Sequence, residues 1–361
     1  MGFGQLGKLV AMLFTLPATL STALLALRAT LSRLGLLALL ALTLACGSAT
    51  GNWIVFVSEA DGDPDIYLLN PSSGETLRLT ANSTNDLEPR WSPDRRQIVY
   101  HSDESGDQEI NILDPVKKTS NRLTYNPGTD ASPRWSPDGE KLVFVGQDTD
   151  SLALFLMGVQ GGETTRITFD SASDRLGDWS PDGEWVVFFA TGEGREPGLW
   201  LRNPNGVNLI RLTEGQDTDP VWSPGGDRIA FVRTQQGNSD IHLLKNPKDG
   251  NWRLNLEELR LTHGTTEDSA PAWSPDGRYL SFVSYRDGNG EIYTMWSDGS
   301  NQERLTNNNA DDLAPVWSPD GKRIAFVSHL YGAGEIFVMD ADGSNQERLT
   351  NNTFEDSSPD W

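Results

Sequence analysis

The stretch Trp317-Ser318-Pro319-Asp320-Gly321 decides the fold, because it is one copy of a phrase that recurs along the chain. Complete copies occupy 135–139, 179–183, 273–277 and 317–321, and altered copies occupy 91–95 and 222–226. The chain ends on Ser357–Trp361, whose tryptophan is the seventh in register. The tryptophans recur every 43–51 residues, at Trp91, Trp135, Trp179, Trp222, Trp273, Trp317 and Trp361. A period of this size is typical of a repeat architecture.

Each repeat contains four short apolar runs separated by turn residues. In one repeat they are Leu313–Trp317, Arg323–Ser328, Glu335–Met339 and Gln346–Thr350. Pro at the second place and Gly at the fourth place of Ser-Pro-Asp-Gly favour a type I turn, and the runs are rich in β-branched and aromatic residues. The pattern predicts a four-stranded antiparallel meander, one blade of a propeller. Each of the four runs occurs seven times, which predicts seven blades.

The two ends of the repeat region are incomplete in complementary ways. The region begins with a second strand and ends with a first strand, so Ser357–Trp361 is expected to supply the innermost strand of the sheet formed by Trp53–Thr80. An open ring would expose apolar faces and strand edges, which favours this split (3+1) closure. We therefore predict an all-β, seven-bladed β-propeller over 53–361. The ending also favours a natural stop over a truncation.

The composition excludes several classes of function. The chain has 361 residues, 37% hydrophobic and 22% charged, and a formal net charge of −22. Such a surface repels nucleic acid and anionic lipid headgroups. It suits basic partners or cations, although the charge also serves plain solubility. Gly-x-Ser-x-Gly and phosphate-loop motifs are absent from the sequence, so an enzyme has little support.

The pattern of the first 46 residues is typical of an export leader. An apolar run, Leu34–Ala45, follows Arg28 and Arg33 and precedes Cys46, which is the one cysteine of the chain. A basic flank, an apolar stretch and small residues describe a secretion signal, and a cysteine there resembles the lipidation site of bacterial lipoproteins. We predict a signal or lipoprotein leader over 1–46, lipidation of Cys46 and a linker over 47–52. An ordinary cleaved signal and an uncleaved anchor are the alternatives.

Aligning the repeats on their tryptophans reveals two sets of candidate binding residues. Five places before each tryptophan stands an aspartate: Asp86, Asp130, Asp174, Asp217, Asp268, Asp312 and Asp356. These carboxylates are predicted to ring one mouth of the central channel and bind a cation or basic peptide, or else to bond local backbone and tie blades together. One place before the tryptophans the repeat varies, with Arg90, Arg134, Asp178, Val221, Ala272, Val316 and Asp360. The charged arc formed by Arg90, Arg134, Asp178 and Asp360 opposite an apolar arc predicts a peptide or small-ligand site near the axis, unless the charges only pair with each other.

Other candidates are weaker. Asp61–Asp65 resembles the start of a calcium loop but lacks the later glycine and acidic ligand, so no cofactor is predicted apart from this Ca²⁺ candidate. The histidines, His101, His242, His263 and His329, occupy different repeat positions, and no metal site is predicted from them. The longest repeat carries extra residues in Lys245–Glu258, where Trp252 is either an exposed contact or packed on its blade; packing is favoured.

The repeats resemble a known family. The phrases at 315–328, 334–340 and 343–350 look like the TolB-type, WD40-like (PD40) propeller repeat, and the resemblance covers 51–361. TolB is a periplasmic protein of the Tol–Pal envelope system that binds proteins, but it has six blades and an additional N-terminal domain. The resemblance implies an extracytoplasmic propeller that binds a protein or peptide of the cell envelope, and with the leader and Cys46 we predict a lipid-anchored monomer that is not an enzyme. The alternative is a metal-dependent lyase or hydrolase of an extracellular polymer, because similar propellers form oligogalacturonate lyases.

Overall fold

The computed structural model describes residues 52–148, 151–168, 173–192, 195–246, 252 and 256–361. The predicted leader, Cys46 and most of the predicted linker lie outside the described residues. The described residues form seven four-stranded antiparallel sheets, so the prediction of an all-β, seven-bladed propeller is confirmed. Within these ranges, none of the secondary structure is a helix of the length and apolarity that a membrane crossing requires.

Each sheet is one blade, with its strands in chain order from the axis outward, except that the first blade takes its innermost strand from the C-terminal end. The strands of blades 1 to 4 are β1 (Ile54–Ser58), β2 (Asp65–Leu69) and β3 (Thr76–Arg78); β4 (Asp86–Trp91), β5 (Ile98–Ser102), β6 (Glu109–Asp114) and β7 (Thr119–Arg122); β8 (Asp130–Trp135), β9 (Lys141–Asp148), β10 (Ser151–Gly158) and β11 (Thr165–Arg166); and β12 (Ser173–Trp179), β13 (Val186–Gly192), β14 (Arg195–Arg202) and β15 (Leu209–Arg211). Those of blades 5 to 7 are β16 (Gln216–Trp222), β17 (Arg228–Gln235), β18 (Asn238–Lys245) and β19 (Glu257–Arg260); β20 (Asp268–Trp273), β21 (Tyr279–Ser284), β22 (Glu291–Trp296) and β23 (Glu303–Arg304); and β24 (Asp312–Trp317), β25 (Arg323–Tyr331), β26 (Ala333–Asp340) and β27 (Glu347–Arg348). The innermost strand of blade 1 is β28 (Asp356–Asp360).

The ring closes through β28, as the ends of the repeat region predict. β28 pairs antiparallel with β1, with Val55 opposite Asp360 and Ser58 opposite Asp356. The indole of Trp361 donates to the backbone oxygen of Asn52 at 3.2 Å. Trp361 also belongs to an apolar cluster formed by blades 1 and 7. The split closure is therefore both a strand pairing and a core interface.

The hydrophobic core lies between neighbouring blades. Seven apolar clusters occur among the described residues, and each contains one of the repeat tryptophans, packed against the preceding blade. The second and third strands of a blade are buried on both faces, so they are rich in Val, Ile, Leu and Phe rather than alternating with polar residues. The repeat tryptophan therefore joins one blade to the next.

The hydrogen bonds and backbone angles of the Ser-Pro-Asp-Gly turn account for its residue types. In blade 3 the hydroxyl of Ser136 donates to Asp138 at 2.5 Å, and Gly139 adopts a φ of 71°, a left-handed conformation that glycine enters without steric cost. In blade 2 Arg95 adopts a φ of 57° at the same place. Its guanidinium donates to the backbone oxygen of Trp53 at 2.7 Å, across the blade 1 interface.

Each innermost strand contains a β-bulge just before its tryptophan. In blade 2 the register shifts between Leu87 and Arg90, and Glu88 adopts a φ of 50°. Such a bulge bends the strand and re-aims its side chains. The same place, three residues before the tryptophan, has positive φ at Glu88, Ser132, Asp219, Ala270, Ala314 and Ser358.

The tryptophan of the long blade 5 insertion packs on its blade. Trp252 is buried, and its ring meets that of Trp222 edge to face with centroids 4.9 Å apart. The prediction that Trp252 packs on its blade is confirmed.

Candidate binding site in the central channel

The seven repeated aspartates stand where the innermost strands begin, and they are buried. Their exposed fractions are 0–2%. The backbone N–H groups of Asp86, Asp130 and Asp312 each donate to a carbonyl of the preceding blade; that of Asp86 donates to Pro64 in blade 1 at 2.8 Å. Ligand binding by these residues stays a prediction, and the contacts observed are those of the structural alternative.

The side chains of these aspartates are held by protein donors. Asn82 donates to Asp86 at 2.9 Å, and the same arrangement, with the asparagine four residues earlier, recurs at Asp130, Asp312 and Asp356. Asp217 instead pairs with Arg233 through two bonds of 2.7 and 2.8 Å, and Asp268 with Arg286 at 3.3 Å. Burial raises the pKa of Asp130 to about 6, although hydrogen bonds from the side chains of Asn126 and Thr124 oppose the shift.

The varied residues before the tryptophans lie four places further along the same strands, roughly 13 Å from the aspartates at ~3.3 Å per residue. Arg90 and Asp360 approach each other at 3.7 Å between blades 2 and 1. The carboxylate of Asp360 also accepts the backbone N–H of Trp91 at 2.8 Å. Asp178 accepts the backbone N–H of Trp222 in the same way at 3.1 Å. These aspartates therefore brace neighbouring blades as well as facing the channel.

Arg134 is the most strongly perturbed cation of this arc. Burial and the neighbouring charge of Arg90 lower its pKa to about 10, although Glu88, Asp178 and Asp360 oppose the shift. Its guanidinium lies 4.0 Å from Glu88, and a quarter of its side chain is solvent-accessible. Arg134 is thus surrounded by protein atoms yet open to the channel. It is a poorly solvated cation with a loose ion pair, which an incoming anionic or polar group can complete.

The other side of the channel is apolar. Val221, Ala272 and Val316 occupy the corresponding places of blades 5, 6 and 7. A cavity of about 440 Å³ opens at the tryptophan end of the channel and is bordered by Ala272 and Val316 on one side and by Arg95 and Asp360 on the other. The volume of this cavity and its lining of apolar and charged side chains are typical of a ligand-binding cavity. The structure thus brings Arg90, Arg134, Asp178 and Asp360 together and leaves the aspartate ring apart from them.

Two residues of this site are not apparent from the sequence. Glu88 reaches Arg134 because the bulge re-aims its side chain, which an alternating pattern does not reveal. His101 is 4% exposed and occupies a core position that holds Val57, Val145, Phe189, Val232, Val283 or Val327 in the other blades. Burial lowers the pKa of His101, against the charges of Glu88 and Asp103. Comparing blades at that position would have identified it.

The calcium candidate residues contact a protein cation. Asp61 and Asp65 both bind Arg78, and Thr80 donates to Asp65 at 2.9 Å. An acid, an arginine and a threonine recur in this way in blades 1, 2, 5, 6 and 7, as in Glu291–Arg304–Thr306. The arrangement is therefore a repeat feature. Throughout the described ranges, no three His, Cys, Asp or Glu side chains are grouped as a metal site requires.

The fold is that of a seven-bladed propeller built from repeats, and its channel carries charged residues on one side and apolar residues on the other. The TolB beta propeller domain model (PD40) matches residues 47–129, 117–267 and 255–361, so the chain belongs to the TolB beta-propeller family.

Individual relatives are more distant. The Tol-Pal system protein TolB of Syntrophus aciditrophicus is 58% identical over 31 residues, 9% of this chain and 7% of that protein, so the match spans a small part of the curated relative. TolB from Acinetobacter baumannii is similar in structure, with a TM-score of 0.57, 18% identity, and coverage of 86% of this chain and 67% of that one. An oligogalacturonate lyase in complex with manganese has a TM-score of 0.67, 19% identity, and coverage of 80% and 85%. At these identities the structures establish the fold alone.

Proposed function

We propose that the protein is an extracytoplasmic binding propeller that takes a protein or peptide partner of the cell envelope at the tryptophan end of its channel. The observation that carries this proposal is the broken symmetry of the channel, with Arg90 and Arg134 on one arc and Val221, Ala272 and Val316 on the other. If these positions served the blade structure alone, the same residue type would be expected in every blade, and the charge would not be concentrated on one side. Membership of the TolB family and the overall acidity are consistent with a protein partner.

The test is affinity capture from envelope membranes with the full chain, compared between two arginine variants. Arg134→Gln removes the poorly solvated cation of the channel. Arg96→Gln is the matched control, because the Arg96 side chain is 82% exposed on the turn of the neighbouring blade. We expect a stoichiometric partner that is lost with Arg134→Gln and retained with Arg96→Gln. Equal capture by both variants, or no partner with the wild type, would refute the channel site.

The proposal includes a lipid anchor on Cys46 and a monomeric propeller. Replacing Cys46 by Ser is expected to release the protein from the membrane fraction, because the acylated thiol would be its attachment. Retention of the variant in that fraction would contradict the lipid anchor and leave the channel proposal untouched. Mass spectrometry of the mature N-terminus reads the modification directly.

The alternative function is a metal-dependent lyase or hydrolase of an extracellular polymer. It is supported by the likeness of the fold to oligogalacturonate lyase. Turnover of a polysaccharide panel with added Mn²⁺ or Ca²⁺, abolished by a chelator, would establish it. Absence of turnover across the panel leaves binding as the better account.

A further inference from the structure

Blade 6 departs from the repeat on the side that faces blade 7. Eight places after the tryptophan, the second strand of each blade pairs with a third-strand residue inside the interface. In the other six blades these pairs are apolar: Val55–Leu68, Val99–Ile112, Val143–Leu156, Val187–Leu201, Ala230–Leu243 and Ala325–Val338. In blade 6 the pair is Ser281 and Thr294. The interface between blades 6 and 7 therefore has less apolar bulk at this level than the others.

A cavity of about 410 Å³ opens there, lined by Thr294, Trp317 and two aromatic side chains of blade 6. Those two, Tyr279 and Trp296, stand directly opposite each other on paired strands. Trp296 is 50% exposed and Tyr279 is 38% exposed. The corresponding pairs in blades 3, 5 and 7 are Lys141–Gly158, Arg228–Lys245 and Arg323–Asp340. An exposed aromatic pair beside a cavity marks an interaction site, since burial would otherwise be favoured.

The aromatic walls are held in place by the protein. Trp317 is buried and stacks on Tyr279 with ring centroids 6.4 Å apart and an angle of 25° between the planes. The indole N–H of Trp317 donates to the hydroxyl of Ser281 at 3.0 Å. Ser281, which replaces an apolar residue of the other blades, thus also holds the indole of Trp317 that lines the cavity. A rigid aromatic wall costs little entropy when a ligand binds.

The charge of the cavity is negative. Three carboxylates line it, those of Asp276, Glu303 and Asp342, against the single guanidinium of Arg278. Arg278 is bound to Asp276 at 2.6 Å, whereas Glu303 and Asp342 accept hydrogen bonds from the neutral residues Asn301 and Ser344 and have no ion pair among the described residues. Asp342 is exposed and therefore ionised at neutral pH, and hydrogen bonds from Ser344 lower its pKa further.

We propose that this pocket binds a single cationic side chain, a lysine ammonium or an arginine guanidinium, presented by a basic segment of a partner protein. The faces of Trp296 and Tyr279 attract a cation through their ring quadrupoles, and tryptophan does so best. Glu303 and Asp342 supply the opposite charge at the rim. The net charge of −22 raises the local concentration of cations and repels anionic ligands. The pocket is separate from the channel arc, so this proposal stands or falls independently of the proposed function.

The probe is Nα-acetyl-lysine N-methylamide, which keeps its ε-ammonium charge. The norleucine analogue is its uncharged counterpart, and a methyl glucoside is the sugar control. The full chain, ¹⁵N-labelled and purified in detergent, is titrated while the indole N–H signal of Trp296, assigned from Trp296→Phe, is followed by NMR. We expect a saturable shift with the lysine probe that weakens with salt, and none with the other two. A response to the glucoside without one to lysine would make this a sugar site, and no response to any probe would refute the pocket.

A second variant separates loss of the site from loss of the fold. Thr294→Leu places in blade 6 the residue type that blades 1, 3, 4 and 5 carry at this position, so the variant is expected to fold and to fill the cavity. Because Trp296 is retained, its indole signal remains readable, and we expect the affinity for the lysine probe to fall about tenfold or more. Tyr125→Ala is the control, since Tyr125 is an aromatic residue 73% exposed elsewhere on the surface. Unchanged lysine binding by Thr294→Leu, or equal loss with Tyr125→Ala, would overturn the proposal.

Discussion

The closing tryptophan offers the sharpest test of the ring. Trp361 is 8% exposed and lies in a cluster with Ile54 and Phe56 of blade 1 and Val338 of blade 7. Its indole N–H donates to Asn52 at 3.2 Å, and the guanidinium of Arg323 lies 4.9 Å from the ring centroid. Replacing Trp361 by alanine removes all of these contacts and leaves the backbone of β28 in place.

The expected cost follows from the area buried. A buried tryptophan side chain removes about 200 Å² from water, worth roughly 5 kcal/mol at ~25 cal/mol per Å². Measured Trp→Ala substitutions in cores cost about 3–5 kcal/mol. We therefore expect Trp361→Ala to lower the free energy of unfolding by about 4 kcal/mol. With a urea m-value of about 3 kcal/mol/M, the unfolding midpoint falls by about 1.3 M.

Two tryptophan variants calibrate this result in the same urea titration, followed by circular dichroism. Trp135→Ala removes an equivalent indole, 9% exposed, from an interface between consecutive blades, and its midpoint should fall as far as that of Trp361→Ala. Trp296→Ala removes a half-exposed indole and should cost under about 1 kcal/mol. If the midpoint of Trp361→Ala falls as little as that of Trp296→Ala, the interface between blades 7 and 1 contributes less to stability than an interface between consecutive blades. That result would refute closure of the ring through Trp361.

Three further changes test the packing and the buried charges by urea midpoint. Gly198→Ala should destabilise blade 4 by about 2 kcal/mol or more, because its Cβ would collide with the carbonyl of Thr213, whereas Gly158→Ala, with no atom within 4 Å of the added Cβ, should not; equal midpoints would contradict this. Arg348→Met should cost about 3 kcal/mol, because the buried carboxylate of Glu335 keeps its hydrogen bonds from Thr350 and Asn352 but loses the one cation that pairs with it among the described residues, and adding Glu335→Leu should recover part of that cost by removing the buried charge; no recovery would show that the ion pair is not the cause. Burial raises the pKa of Asp130 to about 6, so the folded chain keeps a proton that the unfolded chain releases near pH 4, and this contribution to stability is lost as the pH rises through 6. Asp130→Asn should therefore reduce the fall in midpoint between pH 4 and pH 7, and an identical pH profile would contradict the assignment.

The fold could be predicted from the sequence because the same signal occurs seven times. A single Trp-Ser-Pro-Asp-Gly indicates a turn and little else, but six complete or altered copies and a seventh tryptophan in register predict the blade, the number of blades and the place where the ring closes. Even the altered copy at 91–95 keeps the turn, since Arg95 takes the left-handed conformation of the missing glycine and bonds Trp53 in return. Trp361 and β28 join the end of the repeat region to its beginning through the pairing with β1 and the hydrogen bond to Asn52.

The candidate site could be predicted only where the repeat varies beside a recognisable anchor. Arg90, Arg134, Asp178 and Asp360 are predictable from the sequence because they precede the tryptophans. Glu88 is not, because a bulge breaks the alternation of side chains, and periodicity alone does not place a bulge. The repeated aspartates show the opposite difficulty. Uniform occurrence of a polar residue does not distinguish a ring open to ligands from one buried against Asn82 and its counterparts.

The two proposed sites open on neighbouring parts of the tryptophan end of the disc, since Trp317 borders both cavities. A partner that inserts into the channel and continues outward between blades 6 and 7 would bring its basic residue to Trp296. If one partner occupies both, Arg134→Gln and Trp296→Ala should each weaken the same complex. Their effects on its binding free energy should add within about 0.5 kcal/mol, because the two side chains share no contact. Loss of different captured proteins in the two variants would instead show two independent binding sites on one rigid scaffold.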